Sequence, residues 1–75
     1  MTTGAERLEE TASLYDEAAA QLEQALAHCR TAAQHFRDHE VPRGAAHAWA
    51  ARGHLLEAQE LLDRQAREHA ERATP

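Results

Sequence analysis

The sequence is short of the residues that usually cross-link or shape a small domain. Its 75 residues include one cysteine, two prolines and three glycines, and each aromatic type occurs once. A single cysteine excludes a disulfide within the chain, and no cysteine–histidine cluster has the spacing of a zinc finger. A chain this short buries a small share of its surface and is marginal as a monomer. We therefore expect self-association to stabilise the fold.

Long apolar runs are also missing, so the sequence predicts no membrane-spanning segment. The first residues show neither the basic start nor the apolar core of a signal peptide, and we expect a cytoplasmic protein. Lysine is absent, all eight basic residues are arginine, and the net charge is −5 with histidine neutral. This balance disfavours binding to nucleic acid or to an acidic membrane, both of which attract a positive surface.

The charge is unevenly distributed along the chain. Residues 1–29 carry −5 and residues 53–75 carry −2, whereas residues 30–52 carry +2. Four arginines account for this basic middle: Arg30, Arg37, Arg43 and Arg52. They are candidates for binding a phosphate, a nucleic acid or an acidic partner. Such a set more often forms a solvated face, and it could also meet the acidic end of a neighbouring copy.

The first half of the chain is typical of one long amphipathic helix. Thr3 and Glu6 have the spacing of a capping box, which predicts a helix start at residue 4. Apolar positions then follow steps of four and three, as in a heptad seam: Leu8, Ala12, Tyr15, Ala19, Leu22, Leu26, Cys29, Ala33 and Phe36. A second column of small residues runs beside it, where another backbone could come close: Ala18, Ala25 and Ala32.

The second half predicts another helix after a corner at Pro42. Proline disfavours helical geometry in the residue before it and suits the first turn of a new helix. Gly44 suggests a loose start, and Gly53 a possible kink. We predict a single domain over 1–75, with a helix over 4–40, a corner over 41–43, a helix over 43–71 and a tail over 72–75. The expected core of the second helix is Ala48, Ala51, Leu55, Ala58, Leu62 and Ala66.

A corner this short makes the helices antiparallel neighbours, so the predicted fold class is all-α, a two-helix hairpin. One hairpin cannot cover so wide an apolar surface, and we expect two copies to form a four-helix bundle. A longer-stranded bundle, or a hairpin that clasps a different partner, are the alternatives. The predicted interface residues are Leu8, Tyr15, Leu22, Leu26, Cys29, Phe36, Trp49, Leu55, Leu56 and Leu62. We expect Cys29 to be a small buried apolar residue, and Trp49 to be bundle core or a partner anchor.

Two segments resemble parts of a tetratricopeptide repeat. Residues 15–18 (YDEA), followed by Leu22, Ala25 and Leu26, are similar to the second helix of that repeat. The segment from Trp49 through Gly53 to Leu56 is similar to its first helix, although Arg52 replaces a large apolar residue. No full repeat unit recurs, and a solenoid needs about three. The resemblance implies antiparallel helix packing and a protein-binding role, and it transfers no binding residues.

Five of the six histidines lie between residues 28 and 54, and their spacings of four or seven bring them to shared faces. Folding at residue 42 should bring His35 and His39 near His47, and His28 with Cys29 near His54. Imidazole binds zinc, copper or nickel, so His35, His39 and His47 form a candidate metal site. The simpler interpretation is that the histidines edge the apolar stripe with their polar ends in water. A contact that responds to pH is a further possibility.

Catalysis requires a pocket and a placed set of reactive groups, which thin alanine-rich helices do not offer. We therefore expect no enzymatic activity and no cofactor. The leading hypothesis is a small interaction or regulatory protein that dimerises through the first helix and presents residues of the second helix to an unidentified protein partner. The alternatives are a nucleic-acid-associated hairpin dimer that uses the arginines, or a histidine-based metal-binding bundle.

Overall fold

The structure, a computed structural model, describes residues 3–73 and shows an all-α hairpin. Helix α1 spans Gly4–Arg37 and helix α2 spans Val41–Arg72, and three residues, 38–40, join them. The fold class predicted from the heptad pattern is thereby confirmed at the level of the single chain. Within the described residues, neither helix is long and apolar enough to cross a membrane. Thr74 and Pro75, which end the predicted tail, lie outside the described residues.

The start of α1 is fixed by the predicted capping box. The Glu6 backbone N–H donates to the Thr3 hydroxyl at 3.1 Å, and the Thr3 backbone N–H donates to the Glu6 carboxylate at 3.3 Å. These two bonds satisfy donors that the first turn of a helix would otherwise leave without a partner. The sequence rule and the structure agree here to the residue.

The corner comes earlier than predicted, because α1 ends at Arg37 and not at residue 40. His39 adopts a left-handed conformation, with φ of 61°. Its N–H donates to the Phe36 carbonyl at 3.1 Å, and the Glu40 N–H donates to the His35 carbonyl at 2.8 Å. These are the two bonds of a Schellman motif, in which glycine usually occupies the left-handed position. The chain has therefore already turned before Pro42 exerts its effect.

Helix α2 begins at Val41, two residues before the predicted start, and Gly44 in its first turn is buried. A Cβ atom placed on Gly44 would lie 2.9 Å from three carbons of the Phe36 ring. The Gly44 N–H donates to the Glu40 carbonyl at 3.0 Å. The start is thus closely packed, and the prediction of a loose start is wrong. No kink appears at Gly53, since α2 continues unbroken to Arg72.

The contact between the helices is lined by small and polar residues. The buried positions are Ala18 and Ala32 on α1, and Gly44, Ala51, Ala58 and Leu61 on α2. Half-buried positions continue the same heptad spacing: Leu14, Gln21, Ala25, His28 and His35 on α1, and His47, His54 and Gln65 on α2. We call these two rows together the inner seam. The small column predicted on α1 does face the second helix, because alanine and glycine let two backbones approach closely.

The predicted leucine seam does not face α2. Leu8 is 74% exposed, and Cys29, predicted to be buried, is exposed in the single chain. On α2, the stripe that faces α1 lies about one residue before the predicted core positions. Ala51 and Ala58 are buried as expected and Leu55 is half-buried, but Ala48, Leu62 and Ala66 are exposed. Their places in the interior are taken by His47, His54 and Leu61, which were expected at the edge.

Candidate functional site: a histidine ladder and an apolar face

Four half-buried histidines form one continuous row between the helices, in which the two outer pairs stack and the central pair is tilted. Their order along the hairpin is His54, His28, His47 and His35, so that the two helices alternate. Successive ring centroids lie 5.4, 5.2 and 5.3 Å apart, and the interplanar angles are 11°, 31° and 20°. We call these four residues the histidine ladder. They fill the stretch of the inner seam nearest the corner, where alanine alone would leave gaps.

Hydrogen bonds connect the ladder internally and at both ends. The Nδ1 atoms of His28 and His47 are 2.9 Å apart, so one ring donates and the other accepts. At one end, His54 Nδ1 lies 2.7 Å from Gln21 Oε1, to which it donates. At the other end, His35 Nδ1 lies 3.4 Å from Glu40 Oε1. Every rung of the ladder therefore has a polar partner.

The ladder follows from heptad spacing, because His28 and His35, like His47 and His54, are seven residues apart and share a face. The predictions that His35 lies near His47, and that His28 lies near His54, are confirmed. His39 lies exposed at the corner. The four ladder residues are half-buried, and the Nδ1 atom of each has a polar partner. That the other ring nitrogens lie in water stays a prediction.

Two partners of the ladder were missed from the sequence. Gln21 lies seven residues before His28, and this spacing was the available signal. Glu40 lies in the corner and reaches His35 only because the chain turns at His39. Its second carboxylate oxygen accepts from Arg43 at 2.8 Å. The glutamate thus links the end of the ladder to the first turn of α2.

Among residues 3–73, no three histidine, cysteine, aspartate or glutamate side chains come together as a group that could hold a metal ion. His35 and His47 of the predicted metal site are neighbours, but their rings stack on each other at 20°. Stacked rings do not direct their nitrogen atoms at a common centre. Within the described residues, His28 and His47 are the two ladder rings that share a hydrogen bond with each other.

A second feature is an apolar surface that extends over both helices. Its larger members are Leu8, Tyr15, Leu22, Leu26 and Phe36 on α1, with Leu55 and Leu62 on α2, and we call this surface the apolar face. Tyr15, Leu22 and Leu62 each directly follow an inner-seam residue, and one residue turns a helix by about 100°. In an antiparallel pair this turn brings both stripes to the same side. Tyr15 and Leu62 accordingly line one shallow depression with Gln65, Ala66 and His69.

The opposite side of the hairpin is polar. The residues that directly precede inner-seam positions include Glu17 and Gln24 on α1, and Glu57 and Arg64 on α2, all of them exposed. The same geometry that groups the large apolar side chains on one side groups these on the other. The hairpin therefore has one wet side and one apolar side.

No protein-family model matches this chain, and neither the curated proteins nor the solved structures include a match. What the protein does has to be inferred from its own residues.

The remaining predicted site residues are scattered around the hairpin. The heptad pattern places Arg30 and Arg37 on the edge of α1 that lies away from α2, whereas Arg43 is paired with Glu40 at the corner. Arg52 directly follows the inner-seam residue Ala51, which places it on the side of the apolar face, so the four arginines do not share one side. Trp49, 76% exposed, and Leu56 lie on the edge of α2 directed away from α1. They are separate from the apolar face.

Proposed function

We propose that this protein is a non-catalytic interaction module whose hairpin pairs with a second copy, apolar face to apolar face, to form a four-helix bundle. One observation carries the proposal. The chain fills most of the space between its own helices with alanine, glycine, glutamine and histidine. Leu61 is the one leucine buried there, whereas five of the eight leucines and all three aromatic residues are exposed. Among the described residues, no large side chain is fully buried.

The energetics favour covering this face. Burying one large apolar side chain stabilises a protein by about 1.5–3 kcal/mol. An interior of small side chains gains much less, which leaves a single hairpin marginal. The hairpin measures 54 × 26 × 14 Å, and its broad side is larger than the roughly 800 Å² that each partner contributes to a standard interface. A second copy could therefore cover the whole face.

The chemistry of the face favours a second copy of this chain as the occupant. Its leucines and aromatic residues carry no charge. Arg52, which directly follows the inner-seam residue Ala51, is the charged side chain on this side, and its length lets the guanidinium reach water at the margin of a dimer. The negative charge of −5 resides on the polar side, at the edges and near the helix ends, where water screens it in the dimer. A two-fold arrangement uses the same residues twice, which makes a self-complementary apolar strip sufficient.

Dimerisation leaves the outer edge of α2 free for another protein. Trp49 and Leu56 lie there, and a tryptophan is among the side chains that most often anchor a protein interface. The partial resemblance to a tetratricopeptide repeat supports a protein-binding role in general and assigns no binding residues. The proposed module thus has two surfaces, the apolar face for its own copy and the outer edge of α2 for its partner.

Light scattering on the full chain tests the dimer, with Leu22→Asp as the disrupting variant. At tens of micromolar the wild type should have twice the mass of one chain. Leu22→Asp should be monomeric and less helical, because it would place an unpaired charge in the interface. Gln24→Asp is the matched control, since Gln24 lies on the polar side, and it should remain dimeric.

The thiol of Cys29 gives an independent measurement. Cys29 lies on the same side as Tyr15 and Leu22, so it should react freely with a thiol reagent in dilute solution and slowly at concentrations where the dimer forms. A wild type that stays a well-folded monomer at all concentrations, with Cys29 equally reactive throughout, would contradict the proposal.

A further inference from the structure

We propose that the histidine ladder makes the hairpin acid-sensitive: proton uptake by the stacked imidazoles drives α1 and α2 apart. The proposal concerns the contact within one chain and goes beyond the proposed dimerisation. It is carried by the position of the four rings inside the seam, by the distances of 5.2–5.4 Å between successive ring centroids and by their hydrogen bonds.

The central pair limits how many protons the ladder can hold. The hydrogen bond between His28 Nδ1 and His47 Nδ1 requires one of the two nitrogens to be bare. When both rings are protonated, both nitrogens carry a hydrogen, the bond is lost and two positive charges face each other at 2.9 Å. The contact that closes the helices in neutral solution then repels them in acid.

The outer rings add to this repulsion with little compensation. His54 stacks on His28 and His35 stacks on His47, so each additional proton lies beside a neighbour of the same charge. Gln21, the partner of His54, is neutral. Among residues 3–73, the one carboxylate within ion-pair distance of a ladder histidine is that of Glu40, beside His35, and it also holds Arg43. A carboxylate therefore faces the ladder only at the end nearest the corner.

The direction of the pH dependence follows from proton counts. In the unfolded chain every imidazole can carry a hydrogen on both nitrogens, whereas the hydrogen bond between His28 and His47 in the closed hairpin leaves one Nδ1 without a hydrogen. Stability rises with pH wherever the unfolded state binds more protons, so here it falls as pH is lowered through the range of about 8 to 5 in which histidine gains its charge. The net charge of −5 gives an opposite trend. Each protonated histidine makes the chain less negative and so lessens the repulsion among its acidic groups.

The chain provides a control that separates the two trends. His39 is exposed at the corner and takes no part in the ladder or in the apolar face. A proton on His39 would add the same unit of charge as a proton on a ladder ring. A stability change that depends on the ladder must respond to His28 and His47, and must not respond to His39.

The test is urea unfolding of the full chain, followed by circular dichroism at one protein concentration and ionic strength, at about pH 7.5 and about pH 5. For the wild type we expect a clearly lower midpoint at the acid pH. His28→Gln with His47→Gln, which keeps polar side chains that cannot be charged, should remove more than half of that shift. His39→Gln should leave the shift of the midpoint unchanged. A wild type that is equally or more stable in acid, or a ladder variant with the full shift, would overturn the proposal.

A second measurement applies if the ladder variant does not fold. The ring protons of the six histidines are followed by NMR on the wild type as pH is lowered. We expect His28 and His47 to change together in more than one step as the contact between the helices is lost, because strongly interacting groups do not titrate independently. Six independent single-step curves with the hairpin intact at about pH 5 would overturn the proposal equally.

Discussion

The Nδ1 atoms of His28 and His47 face each other across the two helices at 2.9 Å. Because a neutral imidazole has one donor and one acceptor nitrogen, the two rings must adopt opposite tautomers. Neither residue can be replaced without leaving the other half-buried nitrogen short of its partner. The pair is therefore expected to act as one unit in the stability of the hairpin.

A double-mutant cycle measures this unit. We expect His28→Ala and His47→Ala each to destabilise the chain, and the double variant to be more stable than the sum of the two effects predicts, by about 1 kcal/mol. Urea unfolding at neutral pH and fixed concentration gives the three differences. The cycle of His39→Ala with His47→Ala is the control and should be additive. Additivity in the His28 cycle would show that the contact contributes nothing.

The two glycines inside α2 should respond differently to the same substitution. Gly53 has open space where a Cβ would lie, so Gly53→Ala should raise the free energy of unfolding by about 1 kcal/mol through helix propensity. Gly44→Ala should raise the free energy of unfolding by less, or lower it, since the new Cβ would lie 2.9 Å from the Phe36 ring. Thermal unfolding of both variants at one concentration makes the comparison.

The control for this comparison is Phe36→Ala. In the Phe36→Ala background the obstructing ring is gone. Gly44→Ala should then raise the free energy of unfolding nearly as much as Gly53→Ala does. If Gly44→Ala stabilises the wild type as much as Gly53→Ala does, the ring does not lie against Gly44 in solution.

Replacing His39 with glycine should stabilise the hairpin. An L-residue in the left-handed region costs roughly 1–2 kcal/mol, and glycine avoids the clash of Cβ that causes this. We expect His39→Gly to raise the free energy of unfolding by about 1 kcal/mol. His39→Ala keeps the Cβ and should give no gain. A loss of stability in both variants would indicate that the imidazole of His39 makes a contact of its own.

Heptad spacing was sufficient to predict two antiparallel helices, but not which stripe of each helix faces the other. Leu22 and Leu26 were predicted at the interface between two copies, and the pattern did not say which stripe of α1 packs against α2. In the hairpin, Ala18 and Ala32 lie inside, because small side chains let the two backbones come close over a long distance. Adjacent stripes with the same period differ only in size, and the period alone cannot choose between them.

Part of the histidine ladder was predictable from the spacing of the histidines. The spacing of the histidines was enough to pair His35 with His47, since any fold at the corner brings them to similar heights. The part played by Glu40 depends on the left-handed turn at His39, a conformation that histidine adopts uncommonly and that no nearby glycine announced. Pro42 therefore led to a predicted corner at residues 41–43, three residues after the observed corner at residues 38–40.

The inner seam repeats similar residues every heptad, so it does not by itself fix the register of the two helices. On α1 it repeats alanine at positions 18, 25 and 32 and histidine at 28 and 35, and on α2 it repeats histidine at 47 and 54 and alanine at 51 and 58. Sliding one helix along the other by a heptad would therefore match like with like over much of its length. The turn at His39 and the Phe36 ring against Gly44 forbid such a slip, so the register of the whole hairpin is set by the few residues where it bends.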